Sequence, residues 1–119
     1  MKRILIVGLF ALVLAGCATA PPQEPRGLTF PTPAEETLRQ AVGLLVEQGY
    51  IIRHADLALG RAEGALARWP EYRVQLHVVA EGEQASRLLI SAQRGGQPLP
   101  PHLLDPWLVA LQVRMGVAP

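Results

Sequence analysis

Apolar residues recur at three- and four-residue intervals from Leu38 onward: Leu38, Ala41, Val42 and Leu45, extended by Val46, form one stripe. That spacing predicts an amphipathic helix. Thr32-Pro33-Ala34-Glu35 opens it, with the Thr32 hydroxyl as cap, Pro33 at the first helical position and Glu35 completing a capping box. Glu35 and Arg39 form an i,i+4 pair on the opposite side, and Gly49 ends the helix as a left-handed cap. The period then changes to two. Tyr50 to Leu57 reads as a strand in which either Ile51, Ala55 and Leu57 or Tyr50 and Ile52 face the core, with a bulge near Ala58-Leu59-Gly60 to reconcile them. Arg61 to Ala67, where Gly60 and Gly64 disfavour a helix, reads as an extended continuation of the same strand.

After a turn at Trp69-Pro70-Glu71, Tyr72 to Ala80 alternates cleanly: Val74, Leu76 and Val78 on one face, Arg73, Gln75 and His77 on the other. Ser86 to Arg94 alternates again, with Leu88, Ile90 and Ala92 opposite Arg87, Leu89, Ser91 and Gln93. The short connector Glu81-Gly82-Glu83-Gln84 makes these two an antiparallel hairpin. Gly95-Gly96-Gln97-Pro98 ends the sheet. A second helix starts at Asp105-Pro106, carries Trp107, Leu108, Leu111 and Met115 on its apolar side, and closes at Gly116. The expected fold is therefore α+β: a two-layer sandwich over residues 32–117, a three-stranded antiparallel sheet with two helices on one face, in the order α-β-β-β-α.

A different pattern precedes the domain. Lys2 and Arg3 are followed by an apolar run from Ile4 to Leu14, broken only by Gly8, which ends in Leu14-Ala15-Gly16-Cys17. The run is about half the ~20 residues a membrane span needs, so residues 1–16 read as a secretory signal peptide. The alternative is an ordinary secreted protein cut after Gly16 or Ala20. Leu14-Ala15-Gly16-Cys17 resembles the lipobox of bacterial lipoproteins at all four positions. That resemblance implies a diacylglyceryl group on the Cys17 thiol, cleavage before Cys17 and acylation of the freed amine. Such an anchor exceeds the two signals that stable membrane attachment requires. Ala18, where Asp would retain an enterobacterial lipoprotein in the inner membrane, is similar to outer-membrane cargo, with the domain in the periplasm. Residues 17–31 hold the lipidated cysteine and a proline-rich linker; Pro21, Pro22 and Pro25 favour an extended spacer reaching roughly 40 Å.

Composition narrows the chemistry. Without Lys2 and Arg3 the 11 basic and 10 acidic side chains become 9 and 10, a formal charge of −1. No basic field then remains to attract a nucleic acid. Cys17 is the single cysteine; once it is lipidated, disulfides and thiol chemistry are excluded.

The nearest approach to a catalytic constellation is His54 and Asp56, two apart on one strand, with His77 on the next. Together they could form a His-His-Asp metal site or an acid–base cluster, although structural zinc takes four ligands. The plain reading is three polar residues on a wet sheet face. Ser86 and Ser91 are the two serines and neither lies in a Gly-x-Ser-x-Gly elbow; Gly95-Gly96 lacks the Lys-Ser or Lys-Thr of a phosphate loop. No enzyme and no cofactor is expected. Arg73 and Arg87, joined by Arg53 and with Tyr50 nearby, are candidate binding residues for a protein partner. Trp69 and Trp107, each beside a proline at an element boundary, are expected in the core or at its rim.

With Gly49-Tyr50-Ile51-Ile52 opening the first strand, the order of elements behind a lipobox resembles small periplasmic domains of outer-membrane lipoproteins, including accessory lipoproteins of the β-barrel assembly machinery. The resemblance implies a non-catalytic envelope lipoprotein whose domain serves as an accessory or scaffold for another envelope protein. The alternatives are a module for a small lipid, glycan or peptide ligand, and a hydrolase or metal-binding protein using His54, Asp56 and His77.

Overall fold

A computed structural model describes residues 25–117. The expected signal peptide, Cys17 and residues 18–24 of the linker lie outside the described residues. Strand β1 (Arg26–Phe30) is followed by helix α1 (Ala34–Glu47) and four strands: β2 (Ile51–Asp56), β3 (Arg61–Leu66), β4 (Tyr72–Ala80) and β5 (Ser86–Arg94). A two-residue strand β6 (Gln97–Pro98), a 3-10 turn (Pro101–Leu104) and helix α2 (Asp105–Arg114) complete the unit. The sheet is antiparallel with order β1-β5-β4-β3-β2, and β6 pairs with β5.

The three-stranded expectation is thereby corrected: the sheet has six strands, and the fold remains α+β. Three misreadings account for the difference, the last of them at Gln97–Pro98, assigned above to the end of the sheet but paired with β5 as a short sixth strand. The first lies in residues 26–30, assigned above to the spacer. Leu28 and Phe30 point inward on either side of exposed Thr29, and Phe30 is fully buried. An alternation this short is easily hidden between prolines. The second lies at residues 57–60, where the chain reverses instead of continuing. Asp56 Oδ1 accepts the Leu59 N–H at 3.0 Å, and Gly60 adopts φ +69°. The Gly60 carbonyl accepts the Val78 N–H at 2.7 Å, and a Cβ at Gly60 would lie 2.3 Å from the Val78 oxygen. Glycine is required there by both conformation and contact. Arg61–Leu66 therefore returns beside β2 as a separate strand.

Of the two alternatives for β2, the one that turns Tyr50 and Ile52 inward holds. Tyr50 and Ile52 pack against the core, whereas Ile51 is 64% exposed. A register shift between Ile52 and His54 then pairs Ala55 with buried Ala62, but Ala55 and Leu57, the other two expected core residues, stay exposed. The irregularity sits six residues before the expected position.

The β4–β5 hairpin forms as its alternation requires, with Val74, Leu76, Val78, Leu88, Ile90 and Ala92 buried. Leu38, Ala41 and Leu45 of α1 and Leu108 and Leu111 of α2 pack on that same face. Helix α1 keeps its Glu35–Arg39 pair, and Gly49 closes it at φ +93° with the Tyr50 N–H donating to the Leu45 carbonyl. Val46, by contrast, is exposed.

The two expected caps differ. Pro33 occupies the N-cap of α1 with no side-chain cap, and the Thr32 carbonyl instead accepts the Ser86 hydroxyl at 2.7 Å. Asp105 begins α2, but its carboxylate turns to β1 and accepts both the Nε and Nη2 of Arg26, at 2.7 and 3.0 Å. That pair ties the first strand to the last helix. No helix among the described residues is long and apolar enough to cross a membrane.

Candidate functional site

The outer face of the sheet carries rows of side chains set by the register. His54, Glu63, Gln75 and Ser91 form one row; Asp56, Arg61, His77 and Leu89 form the next. All of them but Asp56 line a shallow groove of about 420 Å³, to which Pro25 contributes just ahead of β1.

His54 and His77 thus face the same groove. They remain two strands apart, their backbones about 10 Å from one another across the sheet with β3 between them. Asp56 is engaged at the turn by the Leu59 N–H. Among the described residues, no three His, Cys, Asp or Glu side chains are placed to hold a metal. His77 and Ser91 are diagonal neighbours on β4 and β5, but no side-chain hydrogen bond joins Ser91 to either histidine among the described residues. A serine nucleophile has no base in contact here.

Arg73, Arg87 and Tyr50 do not converge. Arg73 and Arg53 share Glu71, at 3.2 and 3.5 Å, near one end of the sheet. Arg87 pairs with Val79, six positions or about 20 Å along β4 from Arg73. There its guanidinium lies across Gly27 of β1. Tyr50 belongs to the opposite face, where burial pushes its hydroxyl pKa up, with Tyr72 adding a smaller effect in the same direction.

Around Tyr50 the chain builds a second groove, of about 350 Å³, between the sheet and the C-terminal segment. Tyr72, Val74, Ile90 and Ala92 form its floor. Tyr50 and Gln48 close it from the end of α1, and Leu99, Leu103 and Trp107 from the far side. The Trp107 Nε1 is buried and has no hydrogen-bond partner among the described residues. Leaving such a donor unsatisfied costs about 1–3 kcal/mol. The groove was not foreseen because residues 95–98 were assigned to the end of the sheet and residues 99–104 to no element. The available signal was Leu99, Leu103 and Leu104, apolar residues among prolines that must bury against something.

The two tryptophans part company. Trp107 packs at the edge of the core as expected, whereas Trp69, in the turn joining β3 to β4, is 98% exposed. That turn holds a cis peptide bond between Trp69 and Pro70. Arg68 stands beside it, and Ile51 lies at the same end of the sheet.

No protein-family model matches this chain, and no curated protein matches it.

Proposed function

We propose that the chain is a lipid-anchored, non-catalytic component of the bacterial outer membrane, attached through Cys17, whose periplasmic domain binds another envelope protein. The observation that carries the binding role is Trp69. An indole left 98% exposed at a turn is the kind of aromatic anchor on which protein interfaces concentrate their energy. Arg68 precedes it in the chain, and Arg53 and Arg73, both held by Glu71 two residues on, supply polar groups suited to an interface rim. A hydrolase is less well supported, because Ser91 and the histidines make no nucleophile–base contact.

The test is photocrosslinking in intact cells from position 51, beside the Trp69 turn, and from position 83 in the β4–β5 connector at the other end. A discrete adduct with one envelope protein at position 51, lost with Trp69→Ala and absent at position 83, is expected. Equal labelling from both positions would reject the interface. The anchor is tested separately by the mass of the native N-terminal peptide, which carries the acyl groups on Cys17 if the reading holds.

A second reading has its own observation. The aromatic groove lined by Tyr50, Tyr72 and Trp107 is concave and apolar, as a small-ligand module requires.

A further inference from the structure

Beside the groove between the sheet and α2 stands Arg94, which reaches it through Tyr72 of the groove floor. Arg94 is the register partner of Tyr72, so both side chains leave the sheet on the helix-covered face. The Arg94 guanidinium lies 5.6 Å from the centre of the Tyr72 ring, and Tyr72 is part of the groove floor. Five other arginines, at positions 26, 39, 53, 73 and 114, each have a carboxylate partner. Arg94 makes no ion pair among the described residues. Among the described residues lining the groove there is no Asp or Glu, so a cation would meet only aromatic faces there, one of them already covered by Arg94.

We propose that this groove takes a single-chain anionic amphiphile, a fatty-acid-like carboxylate. Its hydrocarbon tail lies against Tyr50, Tyr72 and Trp107, and its head pairs with Arg94. The inference rests on the small-ligand reading above and names the chemistry of that ligand. Size argues for one chain: about 350 Å³ is at the low end of ligand cavities, which span ~300–1,000 Å³. A two-chain phospholipid is too large. Charge argues for an anion, because the guanidinium already stacked on Tyr72 keeps its hydrogen-bond donors free for a carboxylate.

The test uses residues 17–119 with Cys17→Ser, which retains the whole folded unit and removes the acyl attachment. Trp69→Phe leaves Trp107 as the single indole, since the chain has two tryptophans. Trp107 emission is then followed during titration with decanoate, decanol or decyltrimethylammonium, each below its micelle concentration. Decanoate is expected to saturate at a concentration about tenfold below decanol, in line with a charge-assisted hydrogen bond, and the ammonium, which shares the tail but meets the like charge of Arg94, at a concentration well above decanoate. Arg94→Gln should erase the advantage of decanoate without altering decanol binding, and Arg94→Lys should retain part of it. If decanoate and decanol saturate alike, the groove binds apolar ligands and the anionic inference fails. If no probe gives a saturable change while the chain stays folded by circular dichroism, both the inference and the ligand reading fail.

Discussion

The hydroxyls of Thr37 and Ser86, 49 residues apart in sequence, lie 2.7 Å from one another, and both residues are fully buried. Each hydroxyl has one proton to give. Ser86 spends its proton on the Thr32 carbonyl at 2.7 Å. Thr37 therefore donates to Ser86, since its own route to that carbonyl is longer, at 3.3 Å. This short relay joins the start of α1 to the start of β5 with no buried donor left over.

Ser86→Ala should destabilise the fold by about 1–3 kcal/mol, because it strips a buried carbonyl of its close donor. Thr37→Val should fall in the same range. The double variant should cost clearly less than the two added together, since both remove one shared network. Urea denaturation of the four proteins gives the cycle; strict additivity would show that the hydroxyls act separately.

Gly60 and Gly82 both have positive φ, +69° and +82°, but different surroundings. A Cβ at Gly82 meets nothing within 4 Å, whereas one at Gly60 runs into the Val78 carbonyl at 2.3 Å. Gly82→Ala should cost only the left-handed penalty, about 1–2 kcal/mol. Gly60→Ala should cost distinctly more and loosen the β2–β3 hairpin. Thermal melts of the two variants separate these outcomes, and equal losses would contradict the close approach at Gly60.

Phe30→Ala should lose about 3–5 kcal/mol, because Phe30 is among the largest fully buried side chains. The result decides whether residues 26–30 belong to the folded unit or to a spacer. A spacer residue would tolerate the change.

Two groups set the pH response. Hydrogen bonds from Gln40 and then Arg39 hold the Glu36 carboxyl below the usual carboxylate range. Its contribution is present above its unfolded pKa, near ~4.5, and fades as pH falls through the lower folded value. Tyr50 has the opposite sign. Its raised pKa stabilises the fold fully below the unfolded value, near ~10, and that stability is lost as pH rises through the folded pKa. Melting temperature should decline on the alkaline side, and Tyr50→Phe should flatten that part of the profile.

The helices and the β4–β5 hairpin were legible because their apolar periods run long enough to exclude alternatives. Leu38, Ala41 and Leu45 repeat over two turns, and Val74, Leu76 and Val78 find matching partners in Leu88, Ile90 and Ala92. Strand β1 offered only Leu28 and Phe30, too short a run to stand out from a proline-rich stretch. The β2–β3 turn rested on Asp56 folding back onto Leu59, a local hydrogen bond that leaves no periodic trace. The aromatic groove was harder still. Tyr50, Tyr72 and Trp107 come from three separate elements, and Arg94 joins them through its pairing with Tyr72. His54 and His77 were correctly placed on one face, but sequence spacing could not reveal that β3 lies between them.

Strand β1 also fixes the length of the proposed leash. With the acyl group on Cys17 and pairing already under way at Arg26, nine residue steps bridge lipid and sheet, a span of at most about 30 Å. Under that proposal the domain would stay within roughly 30 Å of its bilayer, so whatever it meets would have to come to that surface. Lengthening the leash by inserting Gly-Ser repeats before Pro25 would extend its range without touching the fold.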